Sequence, residues 1–128
     1  MKYYSEEKSA KLRETFEAEV LQWLKVTTRP MFGCPSYQVE NYLFAFLVDE
    51  GVVITHLYKT EREILQRRCQ VDDFHAGERI LRRWGLASIK DREELGFVIP
   101  FVRQSYEEAL HRARGERQGW PDDSSQER

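Results

Sequence analysis

Side chains able to do chemistry are few in this sequence, and they are scattered. Cys34 and His56 make the sharpest pair, because an imidazole beside a thiol could take its proton and leave a nucleophilic thiolate. That chemistry needs hydrogen-bond proximity and a third group to orient the histidine, and no spacing in the chain supplies either. The plainer reading makes Cys34 a small hydrophobe in a turn and puts His56 at the solvent edge of a strand. We therefore expect no catalytic residue and no enzyme. Candidate metal donors are His56, His75, His111, Cys34, Cys69, Asp72 and Asp73, none of them at HxxxH, CxxC or alternating acidic spacing. Asp72-Asp73-Phe74-His75 is the one local cluster, and a solvated loop accounts for it. With no Walker A motif and no GxGxxG after a strand, the sequence predicts neither metal nor cofactor.

Basic residues offer another chemistry. Arg62, Arg67, Arg68, Arg79, Arg82, Arg83 and Lys90 lie close in sequence, and Trp84 could stack on a base. Glu61, Glu63, Asp72, Asp73, Glu78 and Asp91 interleave with them, which favours an ion-paired, solvated face over a nucleic-acid groove. The whole chain of 128 residues has a formal net charge of −2, and its last fourteen, GERQGWPDDSSQER, carry all of it. The body is neutral, with eighteen basic and eighteen acidic side chains and no strong field to steer it toward nucleic acid or an anionic membrane. The longest unbroken apolar run, Tyr42 to Val48, is far below the ~20 residues of a membrane helix. The opening MKYYSEEKSAKLRETF has no apolar signal-peptide core, and the two cysteines show no disulfide framework. A cytoplasmic protein with free thiols is the expectation.

These residues must be positioned by elements that the patterning outlines. Ser5 is placed to cap a first helix, Glu6 and Glu7 suit its first turn, and Leu12, Phe16, Val20, Trp23 and Leu24 form its stripe. Val26 to Pro30 reads as a boundary. Met31-Phe32 should be a short strand, Gly33-Cys34-Pro35 a turn, and Ser36 to Val39 a second strand. Glu40-Asn41 fits a two-residue hairpin turn, Tyr42 to Val48 a long strand, Asp49-Glu50-Gly51 a three-residue loop, and Val52 to Leu57 a further strand. These loop lengths set Tyr37 opposite Phe44, Phe46 opposite Ile54 and Phe44 opposite His56. One face then carries Tyr37, Val39, Phe44, Phe46, Val48, Val52 and Ile54, the natural partner for helices. The other carries Leu43, Ala45, Leu47, Val53 and Leu57, an aliphatic stripe that we single out as a possible partner surface unless the last helix crosses over it.

Thr60 to Glu63 has the form of a capping box for a short helix through Leu65 and Cys69. Val71 to Gly77 reads as a loop, and residues 79–90 are ambiguous between helix and strand, with a strand favoured near Trp84 to Ile89. Asp91 and Glu94 start a long helical stretch whose stripe runs from Leu95 to Ala113, either one helix kinked at Pro100 where Gly96 gives way or two nearly collinear pieces, ended by Gly115. The prediction is an α+β fold in one domain, 1–114, with the long helix packed on one sheet face. Residues 115–128 are expected to be a disordered polar tail.

Three stretches carry a family resemblance: MFGCPSY at Met31 to Tyr37, NYLFAFLV at Asn41 to Val48, and SYEEALHRA at Ser105 to Ala113. With the intervening order of elements they resemble the TfoX N-terminal domain and its YgaC-type relatives over roughly residues 10–114. The resemblance implies a small α+β fold without a shared catalytic motif. The functional expectation is a non-enzymatic domain acting through protein contact or self-association. The alternative is a nucleic-acid-associated regulator of transcription or competence type using residues 67–90.

Overall fold

The computed structural model describes residues 3–115, so the tail expected at 115–128 lies outside the described residues apart from Gly115. Three helices, α1 (Glu6–Val20), α2 (Lys59–Leu65) and α3 (Arg92–Ala113), accompany six strands: β1 (Val26–Met31), β2 (Cys34–Val39), β3 (Tyr42–Val48), β4 (Gly51–Ile54), β5 (Val71–Ala76) and β6 (Arg79–Ser88). The strands form one antiparallel sheet in the order β1-β2-β3-β4-β6-β5, and the fold is α+β as the patterning predicts.

Turn chemistry explains the meander and two corrections to it. Glu40 and Asn41 both take positive φ, 52° and 72°, the expected two-residue turn with Val39 facing Tyr42. Phe32 and Gly33 do the same at 57° and 77°, so the first hairpin turns there, Cys34 and Pro35 belong to β2, and the expected boundary at Val26 to Pro30 is strand β1. Asp49-Glu50 is also a two-residue turn, Glu50 taking φ 57°, and Gly51 opens β4 opposite Val48. A second shift of one residue lies between Tyr37 and Gln38: Tyr37 pairs with Ala45 and Gln38 with Leu43, leaving Phe44 as the extra residue of a bulge.

Each shift exchanges sheet faces, because side chains alternate with period two. The helix-covered face therefore holds Tyr37, Val39, Ala45, Leu47, Val52 and Ile54, with the bulged Phe44 also turned to the helices, its ring 6.1 Å from Trp23 and 5.4 Å from Tyr106 of α3. Phe46, Val48 and Val53 occupy the opposite face. That face is covered by the sheet itself. β3 and β5 are three strand spacings apart, roughly 14 Å in a flat sheet, yet the rings of Phe46 and Phe74 are 5.2 Å apart. Strong twist curls β5 and β6 over, and Trp84 and Tyr3 extend the aromatic cluster. The buried side chains of both faces join in one core.

Further corrections concern helix ends and the β5–β6 hairpin. Val71 to Ala76 is a strand, not a loop, and β6 spans ten residues, settling the ambiguous segment. Ser5 occupies the N-cap of α1 but its hydroxyl makes no cap bond; Asp49 Oδ1 instead accepts from the Ser5 amide at 2.6 Å. α2 begins after Tyr58 with no side-chain cap, so the capping box at Thr60 does not form. α3 starts as expected: Asp91 Oδ1 accepts from the Glu94 amide at 2.9 Å, and Glu94 Oε1 accepts from the Lys90 amide at 2.8 Å. It continues through Pro100 as one helix.

Candidate functional site

The aliphatic set proposed as a partner surface is core in the folded chain. Ala45, Leu47, Val53 and Leu57 are buried and Leu43 is half-buried. The set does not even share a face, since Val53 pairs with Phe46 while Ala45 and Leu47 lie under the helices. Its expectation rests on an unbulged β2–β3 pairing and a three-residue β3–β4 loop: the bulge at Phe44 turns Ala45 and Leu47 to the helices, and the two-residue turn at Asp49-Glu50 separates Val53 from them.

Cys34 and His56 are not brought together. By register Cys34 lies level with Val48, and His56 with Leu43 at the other end of β3, a separation of roughly 17 Å along the strands. Burial and the Asp49 carboxylate push the Cys34 thiol up to about 11, so it stays protonated at neutral pH. His56 sits on the helix side, where its amide donates to Ser105 Oγ at 3.1 Å and its Nδ1 lies 3.3 Å from the same oxygen. Burial first, then the Arg112 and Arg83 charges, hold its pKa down to about 4. Ser105 is itself fully buried and donates to the Phe44 carbonyl at 2.8 Å, so the Ser–His contact ties α3 to the sheet. Among the described residues no group of three or more His, Cys, Asp or Glu side chains could hold a metal ion. Two arginines of the basic segment are engaged within the fold, and so is its tryptophan: Arg62 pairs with Asp73 at 2.8 Å, Arg68 covers the Phe97 ring, and Trp84 packs on Phe46 and Phe74.

The exposed features lie elsewhere. Two strands edge the sheet, β1 and β5. β5 carries Asp72 and Asp73, charges that discourage further pairing. β1 is exposed through its middle, with Arg29 and Pro30 protecting only its second half. Its two-residue hairpin makes Met31 and Cys34 a closing pair with their amides and carbonyls turned to each other, so Val26, Thr28 and Pro30 present theirs outward. Proline has no N–H, and the Val26 amide is engaged with the Trp23 carbonyl at 3.4 Å. Thr28 is the position with both groups open.

Beside this edge stands an apolar shoulder. Leu24 is 58% exposed and Leu21 42% exposed, on the short segment that links α1 to β1. The segment is fixed: Tyr106 donates from its hydroxyl to the Leu24 carbonyl at 2.9 Å, Lys25 takes φ 61° and pairs with Glu40 at 3.1 Å, and Trp23 is buried against Phe44 and Tyr106. The sequence reading assigned Leu24 to the buried stripe of the first helix. Helix α1 ends at Val20, and the chain turns before Leu24 can follow that stripe inward. Leu21 falls outside the stripe's phase, which was the available signal.

No helix among the described residues is long and apolar enough to cross a membrane. No protein-family model, no curated protein and no solved structure matches this chain.

Proposed function

We propose that this chain is a non-enzymatic contact domain that self-associates through the β1 edge and the Leu21–Leu24 shoulder. The observation that carries the reading is Leu24, an apolar side chain more than half exposed yet held out by a backbone bond to Tyr106, next to a sheet edge with an open pairing position. Folding alone does not account for that arrangement, since a leucine left to solvent forgoes part of the ~1.5–3 kcal/mol its burial contributes. Two copies related by a twofold axis would pair β1 antiparallel about Thr28, each Thr28 amide donating to the other's Thr28 carbonyl. Two such bonds, at about 1 kcal/mol each, are too few alone, and the four leucines of the two shoulders supply the remainder. The interface is small, and its dissociation constant is expected on the order of 100 μM.

The non-enzymatic part of the proposal is supported by the raised Cys34 thiol and the distant, amide-tied His56. Both cysteines are free and buried, which accords with a reducing, cytoplasmic setting. A TfoX N-terminal-like membership is part of the same proposal, resting on the quoted stretches. Amide hydrogen exchange tests the pairing directly: the Thr28 amide should exchange freely in dilute protein and become protected at millimolar concentration. Protection independent of concentration, or none at any concentration, removes β1 as the contact.

A further inference from the structure

A cleft of about 770 Å³ opens between the first half of α1 and the start of α3, within the size range of small-molecule sites. Leu12, Ile89 and Leu95 give it an apolar interior. Its back is closed by the β3–β4 turn, which the Ile89 amide reaches by donating to the Glu50 carbonyl at 2.9 Å. Lys8, Lys11, Lys90 and Arg92 line it and are exposed, and none of the four has a carboxylate partner among the described residues. Arg13, Lys25 and Arg62, by contrast, are ion-paired.

The acids of the cleft are mostly occupied by backbone and hydroxyl donors. Asp49 Oδ1 accepts from the Ser5 amide at 2.6 Å and from Ser9 Oγ at 3.2 Å, and Asp91 caps α3 through the Glu94 amide. Glu50 is the acid whose carboxylate is left to solvent, at the turn. Ser9 leaves helical geometry within α1, φ −119° and ψ 16°, and this kink lets its hydroxyl accept from the Glu50 amide at 3.2 Å. A built floor, an apolar interior and four unpaired cations around one opening form an arrangement that core packing does not require.

We infer that this cleft binds a small amphiphilic acid, an aliphatic body lying on Leu12, Ile89 and Leu95 with its carboxylate among Lys8, Lys11, Lys90 and Arg92. This inference is independent of the β1 contact. The probe is octanoate, followed by amide chemical shifts, with inorganic phosphate as the comparison. Octanoate should move the Ser9, Ile89 and Lys90 amides together in a saturable way, and phosphate should move them weakly. The double variant Lys11→Glu, Lys90→Glu replaces two exposed side chains, so its amide spectrum should remain that of the folded protein while octanoate affinity falls at least tenfold. Equal shifts with phosphate would overturn the amphiphile in favour of a simple anion site. Unchanged affinity in the charge-reversed protein would overturn the ionic contact, and no saturable shift with octanoate would overturn the site.

Discussion

His56 shows how a residue suited to chemistry is absorbed by folding. Its pKa in the folded chain is about 4, against about 6.5 unfolded, because a proton there would be buried and would face the Arg112 and Arg83 guanidinium groups. As pH falls below 6.5 the unfolded chain takes the proton first, so stability declines progressively until about pH 4. The gap corresponds to about 3 kcal/mol. Urea unfolding at pH 7 and pH 4 should reveal that loss, and His56→Gln should flatten the dependence across this interval; an unflattened curve would assign the acid sensitivity elsewhere. Cys34 makes the matching case for thiol chemistry. With its pKa raised to about 11, its alkylation at pH 8 should be far slower than that of a free thiol near 8.5. Rapid labelling of the native protein would contradict the buried, protonated state.

Elements were legible where one residue type forces the backbone. Asn41 permits the positive φ of the β2–β3 turn, and Asp91 with Glu94 gives the start of α3; both form as read. Removing the cap by Asp91→Ala should cost about 1 kcal/mol in thermal or urea unfolding. What escaped the sequence reading depends on tertiary context. Glu50 takes a left-handed conformation that glutamate seldom adopts, and the bulge at Phe44 has no local signature; the bulge put Phe46 and Val48 on the wrong face, and the turn at Glu50 restored Val52 and Ile54 to the expected one. Val71 to Ala76 looked like a loop because Asp72 and Asp73 interrupt it, yet Val71 and Phe74 are its buried anchors at an edge. Gly85 similarly gains its meaning in three dimensions: a Cβ there would collide with the buried Leu57 side chain. Gly85→Ala should therefore destabilise the fold by ~1–3 kcal/mol, measured by urea titration. A neutral result would mean that Leu57 can move aside.

At the scale of the molecule, both faces of the sheet are satisfied internally, one by α1 and α3 and the other by the curled β5–β6 strands. This removes the need for a partner over Leu43, Ala45 and Leu47 and moves the question of contact to the rim. The sequence reading places the left-over apolar surface on Leu43, Ala45, Leu47, Val53 and Leu57; it misses the exposed Leu21 and Leu24, whose exposure depends on where α1 stops and which way the chain turns at Lys25. Self-association at the β1 edge is the central claim, and sedimentation equilibrium from about 10 μM to 1 mM, run on the full chain with Leu24→Asp and Thr28→Pro beside it, tests it most directly. The outward Thr28 amide is not needed by the sheet, so both variants should keep the monomer fold. The expected result is a reversible dimer at the upper concentrations, lost in both variants. A monomer throughout the range, or a dimer indifferent to both substitutions, would contradict the claim.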